Sequence, residues 1–305
     1  MRTLINSFLV TSLVLAKRQA VARLFIVIFS VIILPVEVNG QSYLSERSSG
    51  WILSTSFQVT GGNYFYNEYN TLYFLYGGIS YQNENFSLYS YIPVIAQNRP
   101  GFTQSGMMII PTGREGESNG GMINEGGNMH GGNNSVNQSS MMNSQISLGD
   151  FYIYGSYQFL NEINNPIDLY ITPGIKFPTA SASTTIGTGK FDYSLSANVR
   201  RSIESFVLLA EVGFIKFGDP DGIDYKNPFT YGIGLGKFIS ENGNSVLLYF
   251  LSYTSILDNY EPPRRLSLGF NFKLNYTMVL SLIGSKGLSN YSPDFSLSAG
   301  INFSL

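Results

Sequence analysis

The sequence feature that most constrains the fold is a strict alternation of apolar with polar or small residues. In the last segment the apolar positions are Phe295, Leu297, Ala299, Ile301, Phe303 and Leu305, and the residues between them are polar or small. The same pattern occurs at 265–274 and 191–200. A period of two puts successive side chains on opposite faces of a strand, whereas a helix repeats every 3.6 residues. The chain after residue 41 is therefore predicted to be all-β.

The length of these strands favours a membrane barrel over a soluble sandwich. Both classes show the alternation, because the apolar face meets a second sheet in one and lipid in the other. The predicted strands have about 10 to 13 residues, against the roughly 5 or 6 of soluble sheets. Strands of that length suit a tilted crossing of the hydrocarbon layer. The fold class is thus predicted to be a closed antiparallel transmembrane β-barrel.

The alternation predicts twelve strands, with ten or fourteen left open by boundary errors of a few residues. They are 51–60, 71–81, 86–97, 148–160, 167–177, 189–200, 205–217, 228–238, 245–258, 265–274, 276–284 and 292–305. If both termini are periplasmic, the gaps at 82–85, 161–166, 201–204, 239–244 and 275 are short inner turns, and nearly all outward gaps are longer. Pro93 and Pro173 lie inside predicted strands, where each lacks a ladder donor and predicts a bulge or break.

Residues 1–40 are predicted to be a cleavable secretory signal. Lys17, Arg18 and Arg23 precede the apolar run 24–34, and a small-residue site at 38–40 precedes position 41. An uncleaved anchor is the alternative, because the apolar stretch 4–16 makes the segment before the run unusually long. Either interpretation implies export, with the barrel domain at 41–305 placed in a bacterial outer membrane.

Residues 98–147 interrupt the barrel pattern. Gly, Asn, Ser and Met dominate this stretch, which predicts a flexible or disordered extracellular loop, lying outside the barrel or folding into its mouth. It holds the only histidine and six of the eight methionines. Thioethers and an imidazole suit Cu(I), but the irregular spacing favours adaptable apolar side chains in a low-complexity loop, so no metal site is predicted. The residues concerned are Met107, Met108, Met122, Met129, His130, Met141 and Met142.

Short motifs recur in order along the barrel domain. They are Tyr91-Ile92-Pro93, Gly149-Asp150, the stretch 174–179 with Gly187-Thr188-Gly189 and Asp192-Tyr193, and Gly287-Leu288-Ser289 with Ser292-Pro293-Asp294. Through these motifs the chain after about residue 85 resembles the outer-membrane transporter family named for the MetA pathway of phenol degradation. The resemblance implies a twelve-stranded barrel that transports small, often hydrophobic compounds. The chain departs from the pattern in its terminal Leu305, where assembly signals usually have Phe, and in the enlarged 98–147 loop.

The polar face of the strands is expected to line the lumen. The pore-lining candidates are Asp168, Tyr170, Lys176, Asp192, Asn198, Arg200, Glu211, Arg265 and Lys273, with Thr172 and Ser194 beside them. Mixed lumenal charges either brace neighbouring strands as ion pairs or select solutes, and both roles stay open. The many tyrosines are assigned to interface girdles or wall packing rather than to a ligand ladder.

Other functional classes are disfavoured by composition. Only 12% of residues are charged and the formal net charge is −2, which argues against nucleic acid as a partner. Cysteine is absent, and His130 lies in a segment too loose to orient a catalytic base. Asp168 and Asp192 do not stand out as an acid–base pair, and 187–189 lacks the context of a phosphate loop. Neither an enzyme nor a cofactor is predicted.

The expected function is an outer-membrane channel for passive or facilitated passage of a small solute, with hydrophobic and aromatic compounds among the candidates. The expected partners are outer-membrane lipid, the barrel assembly machinery and the solute, and no oligomeric state is predicted. The alternative is a non-conducting barrel that displays its long loop for adhesion. A packed lumen with paired charges would favour the scaffold, and a water-accessible path past Asp192 and Arg200 would favour the channel.

Overall fold

The computed structural model describes residues 49–64, 69–98, 101–105, 108–112, 145–180, 186–220, 222–240 and 243–305. These residues form fifteen β-strands, which confirms the predicted all-β class. Among them there is no helix of the length and apolarity needed to cross a membrane. The predicted signal segment 1–40 lies outside the described residues.

Twelve of the strands form one antiparallel sheet that closes into a barrel, as predicted. The barrel strands are β1 (Gly50–Gly62), β2 (Asn70–Gln82), β3 (Phe86–Gln97), β7 (Phe151–Leu160), β8 (Asp168–Phe177), β9 (Asp192–Ile203), β10 (Phe206–Lys216), β11 (Phe229–Phe238), β12 (Ser245–Tyr253), β13 (Arg264–Lys273), β14 (Met278–Gly287) and β15 (Phe295–Ser304). The short strands β4 (Phe102–Ser105), β5 (Met108–Pro111) and β6 (Gln145–Leu148) lie between β3 and β7 in the chain. Pairing of β1 with β15 closes the circle, so no edge of the barrel sheet is left open.

The alternation places large apolar side chains on the outer face of the barrel. On β10, Leu208 and Val212 are 44% and 62% exposed, whereas Val207 and Leu209, which alternate with them, are buried. Leu195, Ile233 and Leu297 are outward and exposed in the same way on other strands. An outer surface of this kind suits contact with the hydrocarbon layer.

The connections alternate in length as the sequence predicted. At one end, which we call the turn end, the barrel strands are joined by the short segments 83–85, 161–167, 204–205, 239–244 and 274–277. The opposite end, the loop end, carries 63–69, 98–150, 178–191, 217–228, 254–263 and 288–294.

Pro93 and Pro173, the two prolines inside predicted strands, lie where the hydrogen-bonded ladder is interrupted. The strand β3 pairs with β7 up to Tyr91 and with β6 from Val94 onward, so Pro93 marks the change of partner. Its carbonyl oxygen accepts a hydrogen bond from Gly149 N at 2.7 Å. Opposite Pro173, the registered pairs between β7 and β8 skip from Tyr154 to Tyr157. A residue without an N–H accounts for both interruptions.

Part of the predicted loop forms a hairpin, β4–β5, which we call the lumenal hairpin (residues 102–105 and 108–111). Nearly all of its residues are buried, and Phe102 and Ile110 are fully so. The overall composition of 98–147 hides this local apolar content, which is enough to form a packed hairpin.

The lumenal hairpin packs against opposite walls of the barrel. Phe102 and Ile109 belong to a cluster with the inward residues of β2 and β3, including Leu72, Phe74 and Ile95. Met108 and Ile110 belong to a second cluster, whose wall residues are Val207 and Leu209 of β10 with Leu247, Tyr249, Leu251 and Tyr253 of β12. The hairpin therefore crosses the lumen, and the apolar core of this protein lies inside the barrel.

Candidate functional site

Polar side chains of the wall fix the backbone and the polar positions of the lumenal hairpin. The hydroxyl of Tyr76 donates to Gln104 Oε1, and the hydroxyl of Tyr152 donates to the carbonyl oxygen of Gln104. Ser105 Oγ donates to Asp192 Oδ2 at 2.8 Å. Three strands, β2, β7 and β9, thus reach the first strand of the hairpin through hydrogen bonds.

A buried charge cluster lies at the loop end, next to the hairpin. Lys176 Nζ lies 2.7 Å from Asp192 Oδ2 and 3.5 Å from Asp150 Oδ2, and all three side chains are at least 95% buried. The ammonium also donates to Thr188 Oγ1 at 2.9 Å. Two carboxylates therefore share one lysine, an arrangement we call the loop-end cluster. Burial raises the pKa of the Asp150 carboxyl above its ordinary value, although the Lys176 charge opposes this shift.

Several of the motifs that carry the family resemblance converge on this cluster. Asp150 Oδ1 accepts from Ala180 N at 3.0 Å, and Thr179 Oγ1 donates to the carbonyl oxygen of Gly149 at 3.3 Å. Gly187 has a φ of +90°, and a Cβ there would lie 3.1 Å from Asp150 Oδ1. A residue with a side chain would be strained at that φ and crowded against the carboxylate. These motif residues therefore brace the loop end.

A second ionic group lies at the turn end and contains two more of the predicted residues. Arg200 Nη1 lies 2.9 Å from Asp168 Oδ2. Asp168 Oδ1 accepts from Gln158 Nε2 at 2.8 Å and from Glu162 N at 2.7 Å. This aspartate thus joins β7, β8, β9 and the turn after β7, which is the bracing role that the sequence left open.

A row of inward residues follows the ladder register from β8, near the turn end, to β13, at the loop end. Tyr170, Asn198 and Glu211 face one another across β8, β9 and β10. Continued through β11 and β12, the same row reaches Arg265 on β13. Four of the predicted pore-lining residues therefore share one row.

Glycines on β11 let Tyr249 lie flat on the wall beside Glu211. A Cβ at Gly232 would lie 2.4 Å from the Tyr249 hydroxyl oxygen, and one at Gly234 would lie 2.6 Å from its Cδ2 atom. Across these glycines the Tyr249 hydroxyl donates to Glu211 Oε2 at 2.6 Å. Larger side chains on β11 would push the ring into the lumen.

A cavity of about 90 Å3 lies inside the barrel beside the hairpin. Its lining residues with inward ionisable side chains are Lys176, Asp192, Glu211 and the tyrosines 152, 154 and 253. Thr172, Ser194, Ser196 and Thr230 supply hydroxyl groups. The cavity thus brings together three of the predicted charged residues, Lys176, Asp192 and Glu211.

The other predicted residues lie away from this cavity or outside the described ranges. Lys273 is exposed at the turn end, where its ammonium lies 5.9 Å from the Tyr276 ring centroid, so it is distant from Arg265 at the opposite end of β13. Met108 packs in an apolar cluster, and the other proposed soft ligands, including His130, lie outside the described residues. Within the described ranges, no group of three or more His, Cys, Asp or Glu side chains could hold a metal ion.

The structure also assigns roles that the sequence did not. Tyr76, Tyr152, Tyr249 and Tyr253 are buried and point inward, whereas Trp51 and Tyr73 are exposed on the outer face. Alternation gave no guide on β12, because residues on both of its faces are largely apolar. Asp150 was not among the predicted pore-lining residues, although the motif Gly149-Asp150 could have pointed to it.

The overall architecture can now be compared with solved structures. The chain is similar to the COG4313 outer membrane channel from Pseudomonas putida F1, with a TM-score of 0.60 and 12% identity over 88% of this chain and 100% of that chain. The fold is that of an outer-membrane β-barrel.

Two further solved structures are more distant. The KdgM porin aligns with a TM-score of 0.46 and 9% identity over 82% of this chain and 98% of that one. The CymD monoaromatic hydrocarbon channel aligns with a TM-score of 0.45 and 12% identity over 85% and 80%. These two likenesses are too weak to support an inference about this chain. No family model matches the sequence, and no curated protein matches it.

Proposed function

We propose that the protein is a bacterial outer-membrane channel for passive or facilitated passage of a small solute. The observation that carries the proposal is a closed twelve-stranded barrel whose inward row combines Tyr170, Asn198, Glu211 and Arg265. Rings of polar and charged side chains set the selectivity of other pores. No bound cofactor is required for diffusion down a gradient.

In this proposal the lumenal hairpin limits access to the pore. It spans the lumen between the β2–β3 wall and the β10–β12 wall, so a solute has to pass beside it or displace it. Most of its wall contacts are apolar packing and single hydrogen bonds, which a moving segment can break and remake. The hairpin therefore narrows the route through the lumen in the conformation described.

The family assignment and the cellular setting belong to the same proposal. We assign the chain to the MetA-pathway transporter family on its ordered motifs, several of which form the bracing around Lys176. We expect export through the signal at 1–40, insertion by the barrel assembly machinery and contact with outer-membrane lipid. Fractionation of the expressed full-length chain, with mass spectrometry of the mature N-terminus, tests the export step.

Single-channel conductance in a planar bilayer tests the channel function. The refolded chain 41–305 is compared with a variant lacking 98–147, and heat-modifiable gel mobility confirms that each barrel is folded. Current from the full-length barrel, or current that appears only after the deletion, supports a channel. Silence from both folded proteins contradicts it.

One observation favours a second candidate, a non-conducting scaffold. The charges of Asp192 and Arg200 are both engaged in ion pairs, and apolar packing fills part of the lumen. A barrel of this kind would display its loop end to partners outside the cell. Silence in both conductance measurements is the outcome expected of this scaffold.

A further inference from the structure

The cavity beside the lumenal hairpin has room for a small ligand. An enclosed water needs about 10–15 Å3 on the scale used for such cavities. The volume of about 90 Å3 therefore holds several waters or one compound of about seven non-hydrogen atoms. Strands β7 to β12 and the tip of β4 all contribute lining residues.

The charges around this cavity have a negative excess. Lys176 is its one lining cation among the described residues, and it lies 2.7 Å from the lining carboxylate Asp192. The same ammonium lies 3.5 Å from Asp150, whose Oδ2 atom is buried without a hydrogen bond. Lys176 is thus fully engaged by two carboxylates and contributes little positive potential to the cavity.

Glu211 is the second lining carboxylate, and no cation neutralises it at close range. In the described part of the chain no lysine or arginine lies within 4 Å of its oxygens, and its hydrogen bond comes from the neutral Tyr249 hydroxyl. The Arg265 charge also attracts Glu211 across the lumen. Along the wall their backbones are three strands apart, roughly 14 Å at about 4.8 Å for each strand, and both side chains point inward.

Aromatic rings form another part of the cavity wall, on β7 and β12. The rings of Tyr152 and Tyr154 are parallel within 2°, with centroids 6.5 Å apart, and Tyr91 stacks on Tyr152 at 4.7 Å. Tyr152, Tyr154 and Tyr253 line the cavity. Aromatic faces attract organic cations, most strongly where the site is shielded from water.

We propose that this cavity binds a small organic ammonium ion, with Glu211 as its counter-charge and the rings of Tyr152 and Tyr154 as its aromatic wall. The inference rests on the proposed channel function, because it names the class of solute that the lumen admits. Thr172, Ser194 and Thr230 supply hydroxyls for a polar group on the same compound.

Binding of choline to the detergent-solubilised chain 41–305 tests the proposal without requiring conduction. The titration is followed by calorimetry in an amine-free sodium phosphate buffer. The control ligand is 3,3-dimethylbutan-1-ol, the neutral isostere of choline, which has the same shape without the charge. We expect choline to bind and the alcohol to bind at least about tenfold more weakly, since a buried opposite charge outweighs a neutral contact.

Two variants locate the site. Glu211→Gln keeps the shape of the side chain and is expected to weaken choline binding at least about tenfold. Glu261→Gln makes the same chemical change at an exposed loop position and is expected to leave binding unchanged. Tyr154→Leu removes one ring face and is expected to weaken binding about three- to tenfold.

The proposal is overturned if choline does not bind the folded wild-type barrel, if choline and the alcohol bind equally, or if Glu211→Gln binds as tightly as wild type. Displacement of choline by potassium at equal concentration also overturns it, because the site would then be an unselective ionic one. Conductance without choline binding would leave the channel function standing and reject only this solute class.

Discussion

Two parts of the inner wall differ in the side chains that they present to the lumen. The inner faces of β2, β3, β10 and β12, here called the packing wall, carry large apolar and aromatic residues that pack against the hairpin. The inner faces of β13, β14, β15 and β1, the serine-rich wall, carry short polar residues and glycine. They include Ser267, Gly269, Asn271, Ser281, Ser285, Ser296, Ser298, Gly300, Asn302, Ser54 and Ser56.

The two walls are stabilised in different ways. None of the serine-rich residues belongs to either apolar cluster of the described chain. Several of them hydrogen-bond along the wall instead: Ser281 Oγ donates to Asn271 Oδ1 at 2.7 Å, and Ser285 Oγ donates to Ser267 Oγ at 2.9 Å. The packing wall thus contacts the hairpin through apolar bulk, whereas hydrogen bonds between short polar side chains link the strands of the serine-rich wall.

The largest effect is expected from a carboxylate placed in the hairpin where it meets the packing wall. Ile110→Asp puts an unpaired charge at a fully buried position, which costs roughly several kcal/mol. We expect the hairpin to leave the lumen and the single-channel conductance to approach that of the 98–147 deletion. Ser298→Asp, on the serine-rich wall, is the control and should leave the hairpin in place. Unchanged conductance of a folded Ile110→Asp barrel would contradict the docking described.

A smaller loss is expected when the loop-end cluster loses its cation. Lys176→Met leaves Asp150 and Asp192 buried without their partner and should lower the free energy of unfolding by about 3–5 kcal/mol. The temperature at which heat-modifiable gel mobility changes reports this loss. Lys273→Met, at an exposed position on β13, should change it by no more than about 0.5 kcal/mol. Equal effects of the two substitutions would remove the special role of Lys176.

Glycine substitutions on the two walls give a closely matched pair. In Gly232→Ala the new Cβ meets the Tyr249 ring, and we expect a loss of about 1–3 kcal/mol from overpacking. In Gly269→Ala the nearest atom is 3.7 Å away, so the substitution should be tolerated. Urea unfolding followed by the fluorescence of Trp51 compares the two variants, and a larger loss for Gly269→Ala would reverse the contrast.

The smallest effect is expected on the serine-rich wall itself. Ser285→Ala removes the hydrogen bond to Ser267 and should cost about 0.5–1.5 kcal/mol. A double-mutant cycle with Ser267→Ala isolates that bond, and we expect the two losses to be strongly non-additive. Additive losses would mean that the serines do not stabilise each other.

The barrel could be predicted from the sequence because its outer face is predominantly apolar. Strands such as β15 alternate without exception, and the short turns separated them well enough to give the number of strands. The contents of the lumen could not be predicted in the same way. On β12 both faces are apolar, one against lipid and one against the hairpin, so alternation does not distinguish them.

The pattern of alternation also determined which residues were chosen as pore-lining candidates. It puts Asp168, Lys176 and Asp192 on the polar face of β8 and β9, and these three side chains are buried in the structure. Their grouping was not predictable, because it depends on the ladder register and on contacts such as that between Ser105 and Asp192, 87 positions apart. The hairpin itself was concealed by the Gly- and Asn-rich composition around it.

The lumenal hairpin also constrains the order in which the molecule folds. Its partners come from both sides of it in the sequence: the hydroxyl of Tyr225, in the loop after β10, donates to the carbonyl oxygen of Pro111 from 114 positions away, whereas Tyr76 on the packing wall precedes Gln104 by 28. Contacts of such sequence separation form late and slowly, because the loop between them has to close first. The hairpin can complete its core only after β10 and β12 have joined the growing sheet, so sealing of the interior is coupled to the last stages of barrel assembly.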